Sequence, residues 1–197
     1  MTACASSGHA AIRPRLLAAA AAVLLGACAT LSAPPDRIHS GRFTAATITA
    51  PDAPPSQSVS GRFTVEVRGT RRIIDVATPL GTTIARIDIV PGSATATGPQ
   101  MQTATGPDPD VLVEQLLGWR LPVSGLADWI EGRPAPGRPA RTQGDAGRLS
   151  LIEQDGWLVR IAEYTSAGAP RLMTLERPAA LPEPGLRVRL VLEDPAS

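Results

Sequence analysis

The chain of 197 residues contains no lysine, only six aromatic side chains and no dense run of basic residues. Its net charge is +1, because 19 arginines nearly balance 18 acidic side chains. Nucleic-acid binding usually needs a clustered basic patch that neutralises phosphates, so nucleic acid is a poor partner for this chain. Hydrophobic residues make up 43% of the sequence, which is ordinary for a globular protein that buries a core.

Cysteine and histidine are nearly absent as well. The two cysteines are Cys4 and Cys28, and His39 is the one histidine beyond the first ten residues. This excludes a thiol nucleophile or a thiolate metal site in the body of the chain, and it disfavours a Ser-His-Asp site. Glycine-rich phosphate loops are absent too. We therefore expect neither an enzyme nor a cofactor or metal ion, and an anchored hydrolase is the least favoured hypothesis.

The sequence has no apolar run long enough to cross a bilayer as a helix. The apolar run Leu16–Ala27 is twelve residues long and follows Arg13 and Arg15. A membrane-spanning helix needs about 20 apolar residues, whereas a basic residue pair before a short apolar run is typical of a secretory signal peptide. We predict that residues 1–27 are a signal peptide.

The end of this segment resembles a bacterial lipobox. Leu25-Gly26-Ala27 is followed directly by Cys28, whose thiol would receive the lipid after cleavage before it. Two or three acyl chains on one residue make membrane attachment effectively permanent. Ala29 stands where an inner-membrane retention signal would place Asp, so the resemblance implies sorting to the outer membrane. We predict a lipidated tether at 28–36 and one folded domain at 37–197.

The body of the chain has the texture of an antiparallel sheet. Gly61–Arg68 and Leu186–Leu192 alternate apolar and polar residues with a period of two, as half-buried strands do. Asp155-Gly156 lies between two apolar segments and predicts a tight hairpin. The proline-, glycine- and arginine-rich stretch 132–147 predicts a loop. A strand meander is the simplest interpretation.

Two short helices interrupt this pattern. Asp108 is a candidate N-cap with Pro109 at the first helical position, and Gly118 ends the helix. Ser124 is predicted to cap the second helix, which ends before Gly132. The apolar residues of this region are either ordinary core or the lining of a cavity between the helices and a curved sheet; they are Leu112, Leu116, Trp119, Leu126, Trp129 and Ile130. Asp128 and Glu131 are expected to lie on a solvated helix face.

Leu80 is the most informative single residue. Pro79 and Gly81 place it in a turn, where side chains usually face water. Leaving a leucine exposed forgoes about 1.5–3 kcal/mol of burial free energy. From the residues alone, Leu80 either folds back onto the core or protrudes for a function.

The order of these features resembles the LolB family of outer-membrane lipoprotein receptors. The resemblance covers roughly residues 37–193, and its most specific parts are the turn at 78–82 and the LP-x3-L-x2-W-x2-G segment at 121–132. It implies a mostly β (α+β) fold, an unclosed antiparallel β-barrel whose apolar concave face is covered by short helices. It also assigns Pro79, Leu80 and Gly81 to a membrane-insertion loop.

The function that this resemblance implies is transfer without covalent chemistry. A monomer anchored to the outer membrane and facing the periplasm would accept lipoproteins from the periplasmic carrier LolA, bind their acyl chains, and insert them into outer-membrane lipid. The alternative from another class is a structural lipoprotein that docks on an envelope complex through loops or a sheet edge. Such a protein would need no cavity.

The lipidation site gives a direct test. We expect Cys28→Ala to leave the chain uncleaved or released into the periplasm, because no other cysteine follows it in the sequence. Metabolic labelling with a fatty-acid probe measures this, and Cys4→Ala is the control that should keep the label. Continued labelling of Cys28→Ala would overturn the predicted anchor.

Overall fold

The computed structural model describes residues 34–49, 57–118, 121–145, 147–180 and 184–194. The predicted signal peptide, the lipidation site Cys28 and the cavity candidate Trp119 lie outside these residues. Among the described residues, no helix has both the length and the apolar character needed to cross a membrane.

This part of the chain contains eleven strands and two helices. The strands are β1 (Arg37–Ile48), β2 (Gln57–Arg68), β3 (Arg71–Ala77), β4 (Thr83–Val90), β5 (Ser93–Gly98), β6 (Met101–Gly106), β7 (Ala140–Asp145), β8 (Arg148–Gln154), β9 (Trp157–Tyr164), β10 (Pro170–Arg177) and β11 (Gly185–Leu192). The helices are α1 (Pro109–Leu117) and α2 (Val123–Trp129).

All the strands belong to one antiparallel sheet in the order β6-β5-β4-β3-β2-β1-β11-β10-β9-β8-β7. The sheet does not close, since β6 and β7 are its two edges. The two helices lie in the connection between these edge strands. The predicted fold class, an unclosed antiparallel sheet with short helices, is confirmed.

One face of the sheet carries the core because the strands alternate apolar and polar residues. In β2, Phe63, Val65 and Val67 are buried while the residues between them are more exposed. In β11, Leu186, Val188, Leu190 and Leu192 are buried in the same way. We call the buried side the inner face and the other side the outer face.

A repeated pentapeptide shapes the middle of the inner face. Ser-Gly-Arg-Phe-Thr occurs at 40–44 in β1 and again at 60–64 in β2. The two copies pair so that Gly41 faces Phe63 and Gly61 faces Phe43. A Cβ atom on Gly61 would lie 2.7 Å from the Phe43 ring, so glycine is what allows the ring to lie across the neighbouring strand.

The structure corrects the predicted loop at 132–147. Residues 140–145 form the edge strand β7, which pairs with β8 from Ala140 opposite Gln154 to Asp145 opposite Arg148. All six residues of β7 are exposed, so the strand has no apolar alternation that a sequence pattern could reveal. The predicted hairpin at Asp155-Gly156 is confirmed, with both residues at positive φ.

Candidate functional site

Helix α1 begins and ends as its sequence predicts. The Asp108 carboxylate accepts hydrogen bonds from the backbone N–H groups of Asp110 at 2.9 Å and Val111 at 3.2 Å. Gly118 ends the helix in the left-handed conformation, with φ of 72°, and its N–H donates to the Glu114 carbonyl. Both ends therefore satisfy backbone groups that a helix leaves without partners.

Helix α2 begins differently from the prediction. Its N-cap is Pro122, which makes no side-chain cap hydrogen bond. Ser124 is not the cap: its backbone N–H and its hydroxyl both donate to the Asp110 carboxylate, at 2.8 and 2.7 Å. Burial raises the pKa of Asp110, although the hydrogen bonds from Ser124 oppose this shift. Ser124 thus ties α2 to α1.

The C-terminal end of α2 is fixed to the sheet by a buried polar contact. The indole N–H of Trp129, a residue that is 1% exposed, donates to Oε1 of Gln154 at 2.8 Å. Gln154 also bonds both the N–H and the carbonyl of Ala135, at 2.8 and 2.9 Å. Every polar atom of this buried amide therefore has a partner, and it holds the helix end and the following loop on β8.

Ion pairs also fix the C-terminal end of α2. The prediction that Asp128 and Glu131 lie on a solvated helix face is wrong. Asp128 is buried and pairs with Arg133 and with Arg72 of β3, the latter at 3.4 Å. Glu131 pairs with Arg37 of β1 at 2.8 Å and with Arg133 at 2.7 Å. The two carboxylates link the end of α2 to arginines at the beginning of β1 and β3 rather than facing solvent.

Glu131 also lies 3.1 Å from Nε2 of His39. Burial by itself raises the pKa of Glu131, but hydrogen bonds from Arg133 and His39 outweigh burial and hold the pKa below its usual value. Stability from this group is therefore present near neutral pH and is lost as the pH falls through the lowered pKa.

An apolar cavity of about 230 Å³ lies where α2 begins. Its walls come from six neighbouring strands, the link before α2 and α2 itself. Every lining side chain is apolar; the residues are Phe43, Ala45, Val59, Phe63, Ile74, Val76, Ile84, Leu121, Pro122, Val123, Leu126, Leu175, Val188 and Leu190. The lining provides no acid, base or nucleophile, so the cavity is suited to holding apolar matter.

The predicted cavity residues separate into two groups. Leu126 lines this cavity. Leu112, Trp129 and Ile130 are buried in the packed core and do not line it, while Leu116 packs against that core partly exposed. The helical period placed these residues on the covered side of the helices, but it does not distinguish a packed wall from an open one.

Sequence reasoning missed the lining residues that come from the strands. Ile84 is the clearest case, because the β3–β4 pairing shifts register between Val76 and Ala77 and leaves Ile84 between two paired residues. A bulge of this kind re-aims a side chain, so Ile84 lines the cavity although its neighbour Ala85 points into the buried core. For β1 and β2, the repeated pentapeptide was the available sequence signal, because its two phenylalanines, Phe43 and Phe63, line the cavity.

Leu80 protrudes from the turn between β3 and β4. The residue is 96% exposed, so it does not fold back onto the core. The Gly81 N–H donates to the Thr78 carbonyl at 2.9 Å, and the Thr78 hydroxyl accepts from the Thr82 N–H at 3.1 Å. Gly81 has φ of 90°. A hydrogen-bonded turn therefore holds the leucine away from the sheet.

The turn and the cavity lie at the same end of the strands. Ala77, the last residue of β3, faces Arg62 of β2. Because the two strands are antiparallel, the first residues of β2, including Val59, lie beyond this pair on the side of the turn. Val59 and Ile84 line the cavity and are 45% and 37% exposed. They form a partly open mouth next to the turn that carries Leu80.

Within the described residues, no group of three or more His, Cys, Asp or Glu side chains is placed to hold a metal ion. The fold and site define an open antiparallel barrel with an apolar cavity beneath a helical cover. The chain belongs to the LolB family, since the family model described as "Outer membrane lipoprotein LolB" matches residues 39–194.

Similar proteins from bacteria carry the same family name. The chain is similar to the outer-membrane lipoprotein LolB of Cupriavidus pinatubonensis, with 37% identity covering 92% of this chain and 94% of the relative. It is 40% identical to the LolB of Bordetella petrii, covering 91% and 92% of the two chains. The predicted location, a lipoprotein of the outer membrane, is confirmed.

The buried contact between Asp110 and Ser124 predicts a pH-dependent difference in stability between wild type and an Asp110 variant. A raised folded-state pKa means that the Asp110 contribution to stability is full below its unfolded pKa and is lost as the pH rises through its folded pKa. In Asp110→Asn the amide oxygen still accepts from the Ser124 N–H, the amide NH2 donates to the Ser124 hydroxyl oxygen, and no charge is buried. We expect this variant to be more stable than wild type near pH 7, with the difference closing towards pH 3.

Denaturant unfolding across that pH range measures the difference. Asp110→Ala is the matched control, which leaves the Ser124 N–H without its acceptor and should be less stable than Asp110→Asn by about 1–3 kcal/mol at every pH, since neither side chain titrates. A constant gap between Asp110→Asn and wild type across the range would contradict the argument.

Proposed function

We propose that this outer-membrane lipoprotein is a receptor that accepts lipoproteins from the periplasmic carrier LolA, binds their acyl chains in the cavity and delivers them into the outer membrane. The domain faces the periplasm in this proposal. The observation that carries it is the cavity itself, whose 14 lining side chains are all apolar.

Acyl chains match this lining by chemistry. Each methylene moved out of water contributes about 0.8 kcal/mol, so a chain of many methylenes gains more from the cavity than any single polar contact could supply. The partly exposed mouth at Val59 and Ile84 gives such a chain a way in. Transfer from carrier to receptor then requires only more extensive apolar contact in the receiver.

The cavity must widen to hold cargo. Its volume of about 230 Å³ is below the roughly 300–1,000 Å³ typical of sites for drug-sized ligands. The C-terminal end of α2 is fixed to the sheet by Trp129 and Asp128. Leu121, Pro122 and Val123 line the cavity at the N-terminal end, where the hydrogen bonds that Ser124 donates go to Asp110 of α1 and not to the sheet. We infer that cargo displaces this N-terminal end while the other end stays in place.

Leu80 acts at the membrane step in this proposal. Burial of its side chain in a bilayer recovers about 1.5–3 kcal/mol, which favours docking but is too little to hold the protein there permanently. Because the turn lies beside the cavity mouth, a chain that leaves the cavity there enters the same region of the bilayer.

The cavity is tested by filling it. Ala45 is a buried lining residue, so the added carbons of Ala45→Leu enter existing space, and we expect normal stability with weakened binding of a fluorescent long-chain fatty acid. Ala96 is equally buried but does not line the cavity, so Ala96→Leu should overpack the core at a cost of about 1–3 kcal/mol. Thermal melting and probe titration separate the two.

If Ala45→Leu binds the fatty acid as wild type does, the cavity is not the acyl-chain site. If wild type binds no fatty acid at all, the result favours a docking lipoprotein without a cargo cavity.

The role of Leu80 predicts that acceptance and release separate. Leu80→Glu should fold and accept cargo from the carrier, but it should release cargo poorly into liposomes because a charge in the bilayer carries a desolvation cost. Ile38→Glu is the matched control, since Ile38 is also an exposed apolar residue but lies in β1, away from the turn.

A two-stage transfer assay, from carrier to receptor and then to liposomes, measures both steps. Delivery by folded Leu80→Glu at the wild-type rate would show that the leucine has no part in release.

A further inference from the structure

The charges on the outer face are distributed unevenly between its two halves. On β3 and β4 the arginines are neutralised: Arg86 bonds both carboxylate oxygens of Asp75 at 2.7 Å, and Arg71 pairs with Asp88. These pairs leave that half of the face without net charge.

The other half carries exposed arginines of a different kind. Arg42 in β1, Arg189 in β11 and Arg160 in β9 each alternate with buried inner-face residues, so they lie on the outer face. In the part of the chain that the structure describes, none of the three makes an ion pair. We call these three residues the arginine stripe.

The strand register places the stripe in one continuous patch. Arg189 faces Thr44, two residues along β1 from Arg42, so the two arginines are diagonal neighbours about 7–8 Å apart. Thr174 of β10 faces both Arg189 and Arg160, so these two lie in one row about 10 Å apart. Threonine hydroxyls fill the positions between the guanidinium groups.

The surroundings of the stripe do not cancel its charge. Arg62 lies directly opposite Arg42, but its own carboxylate is Glu193 at 3.1 Å, and Arg187 is matched by Glu176 at 3.2 Å. Glu153 of β8 lies diagonal to Arg160 on the same face, but Arg141 of β7 faces it and offsets its charge. The patch therefore keeps an excess of three positive charges in a protein whose total is +1. Like charges directly opposite each other destabilise a sheet, so folding does not require this arrangement.

We propose that the arginine stripe docks on anionic phospholipid headgroups and turns the inner face, with its cavity, away from the bilayer. Guanidinium groups bind phosphate oxygens through two parallel hydrogen bonds, which suits a headgroup surface. The predicted anchor Cys28 is nine residues before β1. A tether of that length spans at most about 30 Å, so the bilayer is always within reach.

This orientation differs from the one in which Leu80 enters the membrane. Docking by the outer face leaves the cavity mouth accessible from the aqueous side, which is the orientation for receiving cargo. The docking surface does not depend on what the cavity binds, so either proposal can fail alone.

The test uses the full lipidated protein in vesicles. A fluorophore attached through Thr44→Cys reports on the stripe, and one attached through Gln115→Cys on the exposed side of α1 reports on the opposite side. Headgroup spin-labelled lipid is the quencher, in vesicles of phosphatidylcholine with or without phosphatidylglycerol. We expect the Thr44 probe to be quenched with phosphatidylglycerol and much less without it, and the Gln115 probe to be quenched in neither.

Substitution then separates the stripe from general electrostatics. An arginine close to an anionic surface strengthens its attraction about fivefold, so replacing Arg42, Arg189 and Arg160 by Gln should abolish the quenching. Added salt should weaken it as well. The double change Arg86→Gln with Asp75→Asn removes a neutral pair from the same face and should leave quenching unchanged.

Equal quenching of the Thr44 probe in both lipid mixtures would overturn the proposal, as would quenching that survives in the folded triple variant. The proposal would also be overturned if the triple variant contacted vesicles as wild type does but no longer bound an acidic protein that wild type binds. That result would assign the stripe to a protein partner.

Discussion

The structure depends on one constraint: a curved sheet that does not close must have its apolar inner face covered by something other than a strand. The connection between the edge strands β6 and β7 supplies this cover as two helices of nine and seven residues. They are too short to pack against the whole inner face of an eleven-stranded sheet. The cavity is the space that remains between the N-terminal part of α2 and the sheet.

The polar contacts of α2 fix one of its ends to the sheet. Buried hydrogen bonds and ion pairs gather at its C-terminal end, where Trp129 meets Gln154 and Asp128 meets Arg72. Groups of this kind are costly to separate once buried, because each would lose its partner without gaining water. At the N-terminal end the contacts with the sheet are apolar, and apolar contacts can be exchanged for others with little loss.

Several features follow from the sequence because they depend on residues close together in the chain. Asp108, Pro109 and Gly118 set the limits of α1 through contacts within a few residues. The turn around Leu80 follows from Pro79 and Gly81, and Thr78 closes its local hydrogen bonds, although only the structure showed that the leucine is exposed. The alternation in β2 and β11 assigned the buried face, and the motif at 121–132 indicated the family that the comparisons confirm.

Only the tertiary structure decided the features that join distant residues. Ser124 bonds Asp110 instead of capping its own helix. Asp128 is buried and pairs with Arg72, which is 56 residues away in the chain. Residues 140–145 form a strand because β8 pairs with them. The arginine stripe likewise comes from three strands whose neighbourhood is set by the sheet order. The sequence determined the limits of α1, the turns at 78–82 and 155–156, and the buried face of β2 and β11, because short-range sterics and hydrogen bonds fix them. The open cavity, its bulged Ile84 wall and the partner of each buried charge depend on how the sheet curls, which no local pattern encodes.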